Sequence, residues 1–332
     1  MPSNIHKRLF LIIIDSLFSW GIWEINVQLG NPCTSVAFTK CFILSTTTFL
    51  IVYTPFEIYW SFRDLWFDRW IRLSLKELEV SNIKIEVSDG SLSSTLLRNR
   101  NQTKVDSKKT IIVVCHGFSD TMKTLQYYYY PLALQGYIIL AYDARGTSKS
   151  KKVGKRGDFL KRIEDFKYIL NWIKSDEEYS RLTINCIGFS IGALTILCGG
   201  FQNEDIKKIV AISSMSNFKQ NIPNYNPIVI LSYLMKGVRL FPSEEVNNNL
   251  SPYLIMKGVK EKVTLNTWNY LSRRILLIHS KNDKLIKIKN FEENSQLLGL
   301  PKKNMLVLKK GGHSQKKNEG ALVGATLAFL KS

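Results

Sequence analysis

The chain is 332 residues long and carries 46 lysine and arginine residues against 27 aspartate and glutamate, a formal net charge of +19. Such a length exceeds one typical domain core and leaves room for a sizeable extension. Five cysteines, an odd number without a Cys-x-x-Cys, indicate neither a disulfide framework nor a metal site. The basic excess comes without zinc-finger spacing, basic-region heptads or an RNA-binding aromatic motif, so no nucleic-acid partner is expected. Without an internal repeat or a phosphate-cradling glycine loop, no cofactor is expected either.

Residues 1–80 read as a hydrophobic N-terminal extension. Leu9 to Leu29 is largely apolar but includes Asp15 and Glu24. Asp15 in a spanning helix would cost about 2.5–3.5 kcal/mol, which makes this stretch the weaker membrane candidate. Cys41 to Trp60 is about as long as a bilayer-spanning helix requires, with one charge, Glu57, near its end. A signal peptide fits poorly, because the apolar zone is long, interrupted and lacks a clear small-residue cleavage site. Trp60, Trp66 and Trp70, interleaved with Arg63, Arg69 and Arg72, read as an interfacial belt. The expectation is therefore a membrane anchor or hairpin; the alternative is an apolar arm folded on the rest of the chain. Lys7, Arg8 and Arg63 to Arg72 suit a hairpin with both ends inside, which puts the following domain on the cytoplasmic side.

Residues 81–332 show a different pattern. Arg98 to Lys109 is polar and reads as an exposed loop between early strands. Apolar strands are predicted at 111–115, 137–142, 182–187, 208–213, 275–279 and 304–308, and helical patterns at 159–174, 192–201, 289–298 and 320–331. Continuous apolar strands alternating with helices indicate a mostly parallel sheet covered on both faces. In such sheets, active residues collect where loops leave the carboxyl ends of strands. Residues 214–270 do not fit the alternation and are expected to form a helical cap. Gly188-Phe189-Ser190-Ile191-Gly192 lies at a strand-to-helix junction, the setting of a strained nucleophile turn.

With His116-Gly117 after one strand, Asp143-Ala144-Arg145-Gly146 after the next and the Ser190 turn after a third, residues 81–332 resemble the α/β-hydrolase family. The resemblance implies the α/β-hydrolase fold and a nucleophile, acid and base in that chain order. Where many relatives have a second glycine in the Asp-x-Arg-Gly turn this chain has Ser148, a difference expected to bear on loop shape. Among four histidines, His6 precedes the first apolar segment, His116 belongs to the turn beside the expected oxyanion site, and His279 precedes the acid. His313 follows the last strand on a glycine pair and is the candidate general base. Asp283, after the penultimate strand, is the candidate acid that would orient it; a turn aspartate capping the next helix is the alternative. The resemblance points to the backbone N–H groups of Phe118 and Ile191 as the oxyanion hole. It also implies that Asp143 and Arg145 form a structural turn pair. Asp120 reads as an N-cap, and Tyr127 to Tyr130 as a packed helix face.

The whole +19 excess falls in residues 81–332, much of it in loops after strand ends, such as Lys149, Lys151, Lys152, Lys281, Lys284, Lys309 and Lys310. That rim is expected to face anionic headgroups or to admit anionic substrates. The expected function is a serine hydrolase acting on an ester or related acyl bond of a small-molecule or lipid-like substrate. Amidase, peptidase or thioesterase activity, or a non-catalytic membrane interaction module on the same fold, are the alternatives.

Overall fold

A computed structural model describes residues 5–28, 35–66, 76–101, 110–222 and 227–332, and the chain divides into two compact units, Met1–Ile71 and Arg72–Ser332. The first unit is a helix pair, α1 (Ile5–Gln28) and α2 (Ser35–Trp66). Its polarity is inverted relative to a water-soluble pair. Asp15 and Ser19 are buried and Ser45 Oγ donates to the Ser19 carbonyl at 3.0 Å, whereas Phe10, Ile13, Phe18, Trp20, Phe42, Ile43, Ile51 and Ile58 are exposed. Within α2, Thr39–Tyr59 is long and apolar enough to cross a membrane, close to the expected Cys41–Trp60. Arg69, Trp70 and Arg72 of the expected interfacial belt lie outside the described residues, as do the side chains of Trp60, Arg63 and Trp66.

The second unit is built on a sheet of β1 (Leu78–Val87), β2 (Gly90–Asn99), β3 (Thr110–Cys115), β4 (Ile138–Tyr142), β5 (Thr183–Phe189), β6 (Ile206–Ile212), β7 (Ile275–Ser280) and β8 (Met305–Leu308). The strand order is β1-β2-β4-β3-β5-β6-β7-β8. β2 runs antiparallel to β1 and β4, and every pair from β4 to β8 is parallel. Flanking helices are α3 (Gln126–Leu134), α4 (Phe159–Ser175) and α5 (Ile191–Gly200). Between β6 and β7 stand α6 (Phe218–Asn221), α7 (Pro227–Met235), α8 (Glu244–Leu250), α9 (Pro252–Lys260) and α10 (Leu265–Arg273); α11 (Lys289–Leu298) and α12 (Glu319–Lys331) complete the unit.

β3 shows why the central strands are apolar throughout. Ile111 and Val113 pack into one core with Phe166, Ile169 and Ile196, while Ile112 and Val114 enter a second core with Tyr128, Tyr129, Leu322 and Phe329. Alternate side chains of one strand thus serve two helix layers, and no position is left for a polar residue. The six apolar strands and four helices expected from the sequence are present. The β1–β2 hairpin is an addition, joined by Ser88-Asp89, with Gly90 opening β2 at φ 140°. The loop expected from Arg98 starts later, since Arg98 and Asn99 end β2 and Arg98 pairs with Glu79 at 2.8 Å; residues 102–109 lie outside the described residues.

Candidate active site

β5 delivers Ser190 at its carboxyl end in a conformation that L-residues rarely adopt, φ 53° and ψ −114°. The two flanking glycines are there because neighbouring backbone touches them. A Cβ on Gly192 would lie 2.0 Å from the Cys115 carbonyl oxygen, and one on Gly188 would lie 2.4 Å from the Gly192 carbonyl oxygen. The turn is therefore wedged between β3 and the first turn of α5. It holds the serine above the sheet at a cost of about 1–3 kcal/mol of backbone strain.

The serine, acid and histidine candidates meet. His313 Nε2 is 2.9 Å from Ser190 Oγ and His313 Nδ1 is 2.8 Å from Asp283 Oδ2. An ionised carboxylate only accepts, so Nδ1 carries the proton, and Nε2 is left to accept the serine O–H. Asp283 is buried, and its other oxygen accepts the amides of Leu285 and Ile286 at 2.9 Å each. Burial works to raise its pKa, but the hydrogen bond from His313, the nearby imidazoles and the Ile286 amide outweigh it, and the carboxyl sits below the usual carboxylate range. Asp283 thus fills both the orienting position and the turn-capping position. Asn282 does a third job: its Oδ1 accepts the Gly312 amide at 2.8 Å and so ties the acid loop to the histidine loop.

Further side chains support this group. Gln315, buried and at φ 52°, donates to Ser213 Oγ at 2.7 Å, and Ser213 Oγ donates to the His313 carbonyl at 3.2 Å. His279 lies under the acid, 3.6 Å from Asp283 Oδ2, with Nε2–H donating to the Ile286 carbonyl at 2.8 Å. Burial keeps its pKa below the ordinary histidine value. None of these roles has a local signal, because each joins residues brought together only by the sheet; the positive φ of Gln315 follows a glycine pair that does mark a tight loop.

The His116 and Asp143 turns form the opposite wall. His116 Nδ1–H donates to the Gly117 carbonyl at 2.7 Å, while Nε2 accepts the Ala144 amide at 2.9 Å. This neutral, fully enclosed imidazole joins two loops, and burial together with the Arg162 and Arg156 charges pushes its pKa down to about 3. Between that value and the ordinary 6.5, the unfolded chain binds a proton that the native state refuses, so this contribution to stability is complete above pH 6.5 and is lost as pH falls. Equilibrium urea titrations at pH 6.5 and 4.5 should show a loss of about 2–3 kcal/mol from this residue. A His116→Gln variant should lack that part of the acid sensitivity, and an equal loss in both proteins would refute the assignment.

Asp143 and Arg145 do not pair with each other. Asp143 accepts the amides of Met122 and Lys149 at 2.9 and 3.2 Å, whereas buried Arg145 makes a two-pronged contact with Asp165 on α4 and a third with Asp89 at 2.8 Å. Ser148 sits at φ 39°, the left-handed region that a glycine would occupy without strain. Asp120 does not cap a helix: a 3-10 turn over Lys123–Leu125 precedes α3, and Asp120 Oδ1 instead accepts Thr124 Oγ1 at 3.4 Å. Tyr128, Tyr129 and Tyr130 are buried, as expected of a packed face.

Among the described residues, neither the Phe118 nor the Ile191 amide has an acceptor within the protein. A Cβ on Gly117 would lie 3.4 Å from Ser190 Cβ, so the Phe118 loop passes close to the serine. The Phe118 and Ile191 side chains enter one apolar cluster with Phe159, Met215, Phe218, Ile222, Tyr233 and Val238. Phe118 meets Tyr233 edge-on with centroids 5.5 Å apart, which brings α7 of the expected cap against the expected oxyanion loop. Lys149, Lys151, Lys152, Lys281, Lys284, Lys309 and Lys310 are exposed on the loops after β4, β7 and β8, and half-buried Arg156 donates through Nε to the Gly146 carbonyl at 3.4 Å. Among the described residues no cluster of potential metal ligands occurs, and His6 and Cys33 have no described side chain.

Residues 106–265 match the family model described as serine aminopeptidase S33. No curated protein matches the sequence. Among solved structures, an esterase of Pyrococcus furiosus is 23% identical with a TM-score of 0.52, covering 79% of this chain and 94% of its own. A Pyrococcus horikoshii acylaminoacyl peptidase is 17% identical with a TM-score of 0.52, and this chain spans 42% of its length.

Proposed function

The chain belongs to the α/β-hydrolase family, and from that premise we propose that it is a serine esterase that cleaves apolar acyl esters by a serine–histidine–aspartate mechanism. The observation that carries the proposal is the unbroken hydrogen-bonded line from Asp283 through His313 to Ser190, at 2.8 and 2.9 Å. In this mechanism Ser190 Oγ attacks the acyl carbonyl as its proton passes to His313 Nε2. Asp283 holds the imidazole in the required tautomer and stabilises the imidazolium. The amides of Phe118 and Ile191 receive the charge that develops on the carbonyl oxygen. His313 then gives its proton to the departing alkoxide, leaving an acyl ester on Ser190. A water molecule, deprotonated by the same imidazole, cleaves that ester and frees the carboxylic acid and the serine.

The apolar cluster behind Phe118 and Ile191 supports an acyl chain as the recognised part, with α7 acting as a cap over it. A fluorophosphonate probe should label the full-length folded protein at Ser190 and leave Ser190→Ala unlabelled. Chromogenic esters of increasing acyl length should be turned over with rising kcat/KM until the cluster is filled. Folded protein that takes no label would refute the mechanism. The S33 family match favours a second reading, hydrolysis of an amide or peptide bond by the same residues. Peptide anilides cleaved faster than any ester would establish it.

We also propose that α1 and α2 hold the enzyme in a membrane, with the hydrolase unit on the cytoplasmic side and its lysine rim toward anionic headgroups. The support is the apolar outer surface of the pair with Asp15 and Ser19 turned inward, together with Lys7, Arg8 and the arginines after Arg63 at its two ends. Alkaline carbonate should leave the full-length protein in the membrane pellet; release into the supernatant would refute this placement.

A further inference from the structure

At the amino ends of β6 and β7, on the side of the sheet away from Ser190, there is an open hollow of about 580 Å³. Lys207 and Lys208 enter it from the start of β6, and Arg273 and Arg274 from the turn into β7. One face of α10 forms its side, since Asn266, Asn269, Tyr270 and Arg273 recur at helical spacing while Trp268 and Leu271 of the same helix are buried.

No acidic residue lines the hollow, and among the described residues none of its four cations is paired with a carboxylate. Glu204, which acts on the charge of Arg274, lies outside the lining. Arg274 is buried and fixed: it donates to the carbonyls of Asn203 at 2.8 Å and Ile206 at 2.7 Å and also to Phe201, yet its Nε has no acceptor. Lys208 Nζ is held by the Phe329 carbonyl at 2.7 Å. Burial, with the charges of Lys207 and Lys303, lowers its pKa. Lys207 and Arg273 are exposed at the mouth, and the Tyr270 ring presents a half-exposed face beside them.

We propose that this hollow is a second binding site, for a phosphate-bearing anion, separate from the hydrolytic centre. Arg273 offers the planar fork that matches phosphate oxygens, Lys207 supplies a mobile second charge, and Asn266 and Asn269 are neutral polar groups that can bond either oxygens or an attached ring. A bound phosphate relieves the mutual repulsion of four cations with no internal counter-ion, and rising salt weakens that binding. Position at the amino ends of the strands keeps the ligand clear of Ser190, so the proposal stands whether or not the chain is an esterase. The same chemistry is found in a soluble phosphorylated metabolite and in a phospholipid headgroup.

Calorimetric titration of the full-length protein in neutral detergent separates the two sources. One titrant is sodium pyrophosphate, and the other is the same detergent carrying phosphatidic acid, with phosphatidylcholine as its control. Wild-type protein should bind at least one of the two phosphate probes, and the double variant Lys207→Glu/Arg273→Glu should bind that probe about tenfold more weakly or less. Both substitutions are at exposed positions, and far-ultraviolet circular dichroism checks that the fold is kept. Loss confined to pyrophosphate assigns a soluble ligand, and loss extending to phosphatidic acid assigns a headgroup. Wild-type protein that binds neither probe, or a folded double variant that binds as tightly as wild type, overturns the proposal.

Discussion

Asp283→Asn is expected to lower kcat by about 10⁴-fold with little change in KM. The asparagine can keep an oxygen on the Leu285 and Ile286 amides, which leaves the turn closed. Its amide nitrogen then faces His313 Nδ1 and asks that atom to accept. The proton must move to Nε2, and Nε2 can no longer take the proton of Ser190. Chemistry is lost while substrate still docks through its acyl part. The variant also tests the pH behaviour of the acid. Because the native carboxyl lies below the usual carboxylate range, it contributes stability that is present above the unfolded value and is lost as pH falls through the native one. The asparagine protein should lack this acid-side loss. Steady-state kinetics with one ester decides the main point: a kcat within tenfold of wild type would mean that Asp283 is only a turn residue.

The second large effect is steric. Gly192→Ala would put a methyl carbon 2.0 Å from the Cys115 carbonyl oxygen and 2.8 Å from that of His116. Every obstructing atom is main chain, on β3 and the loop that presents Phe118, so nothing can yield by changing rotamer. Relief requires moving α5 away from β3, which opens the core and pulls the Ile191 amide from the Phe118 amide. We expect a loss of about 3 kcal/mol or more in stability and no detectable fluorophosphonate labelling. Gly324→Ala is the matched control. It lies within α12, exposed, with no atom within 4 Å of a Cβ, and should gain about 0.5–1 kcal/mol from helix propensity. Urea titrations of the two variants against wild type check both, and a Gly192→Ala protein as stable as wild type would show that the turn can loosen.

The parallel part of the sheet was legible because each inner strand is apolar on both faces, and the site because its residues follow strand ends in a recognisable order. Ser190 was marked by its glycines, and His313 by the glycine pair before it. What stayed hidden depends on contacts between distant positions. Gln315 and Ser213 stand 102 positions apart, and Arg145 finds Asp165 twenty positions later on a helix, not its neighbour Asp143. The β1–β2 hairpin did carry a signal, an Asp-Gly turn between two stretches of alternating polarity. Its polar residues made it look less like a strand than the buried runs that follow. The seam between α1 and α2 was hidden for a related reason: Asp15 counts against a membrane helix until a partner such as α2 covers it.

The proposed nucleophile and base also differ in how firmly they are seated. Ser190 follows β5, which has neighbours on both sides, whereas His313 follows β8, a strand of four residues at the sheet edge with one side unpaired. Edge fraying requires far less energy than melting the centre. Warming should therefore silence the enzyme by letting its imidazole drift away while the sheet interior is still intact, and cooling should restore it. Activity lost on warming should therefore return on cooling at temperatures where circular dichroism still reports an intact fold, and inactivation that only accompanies global melting would refute this.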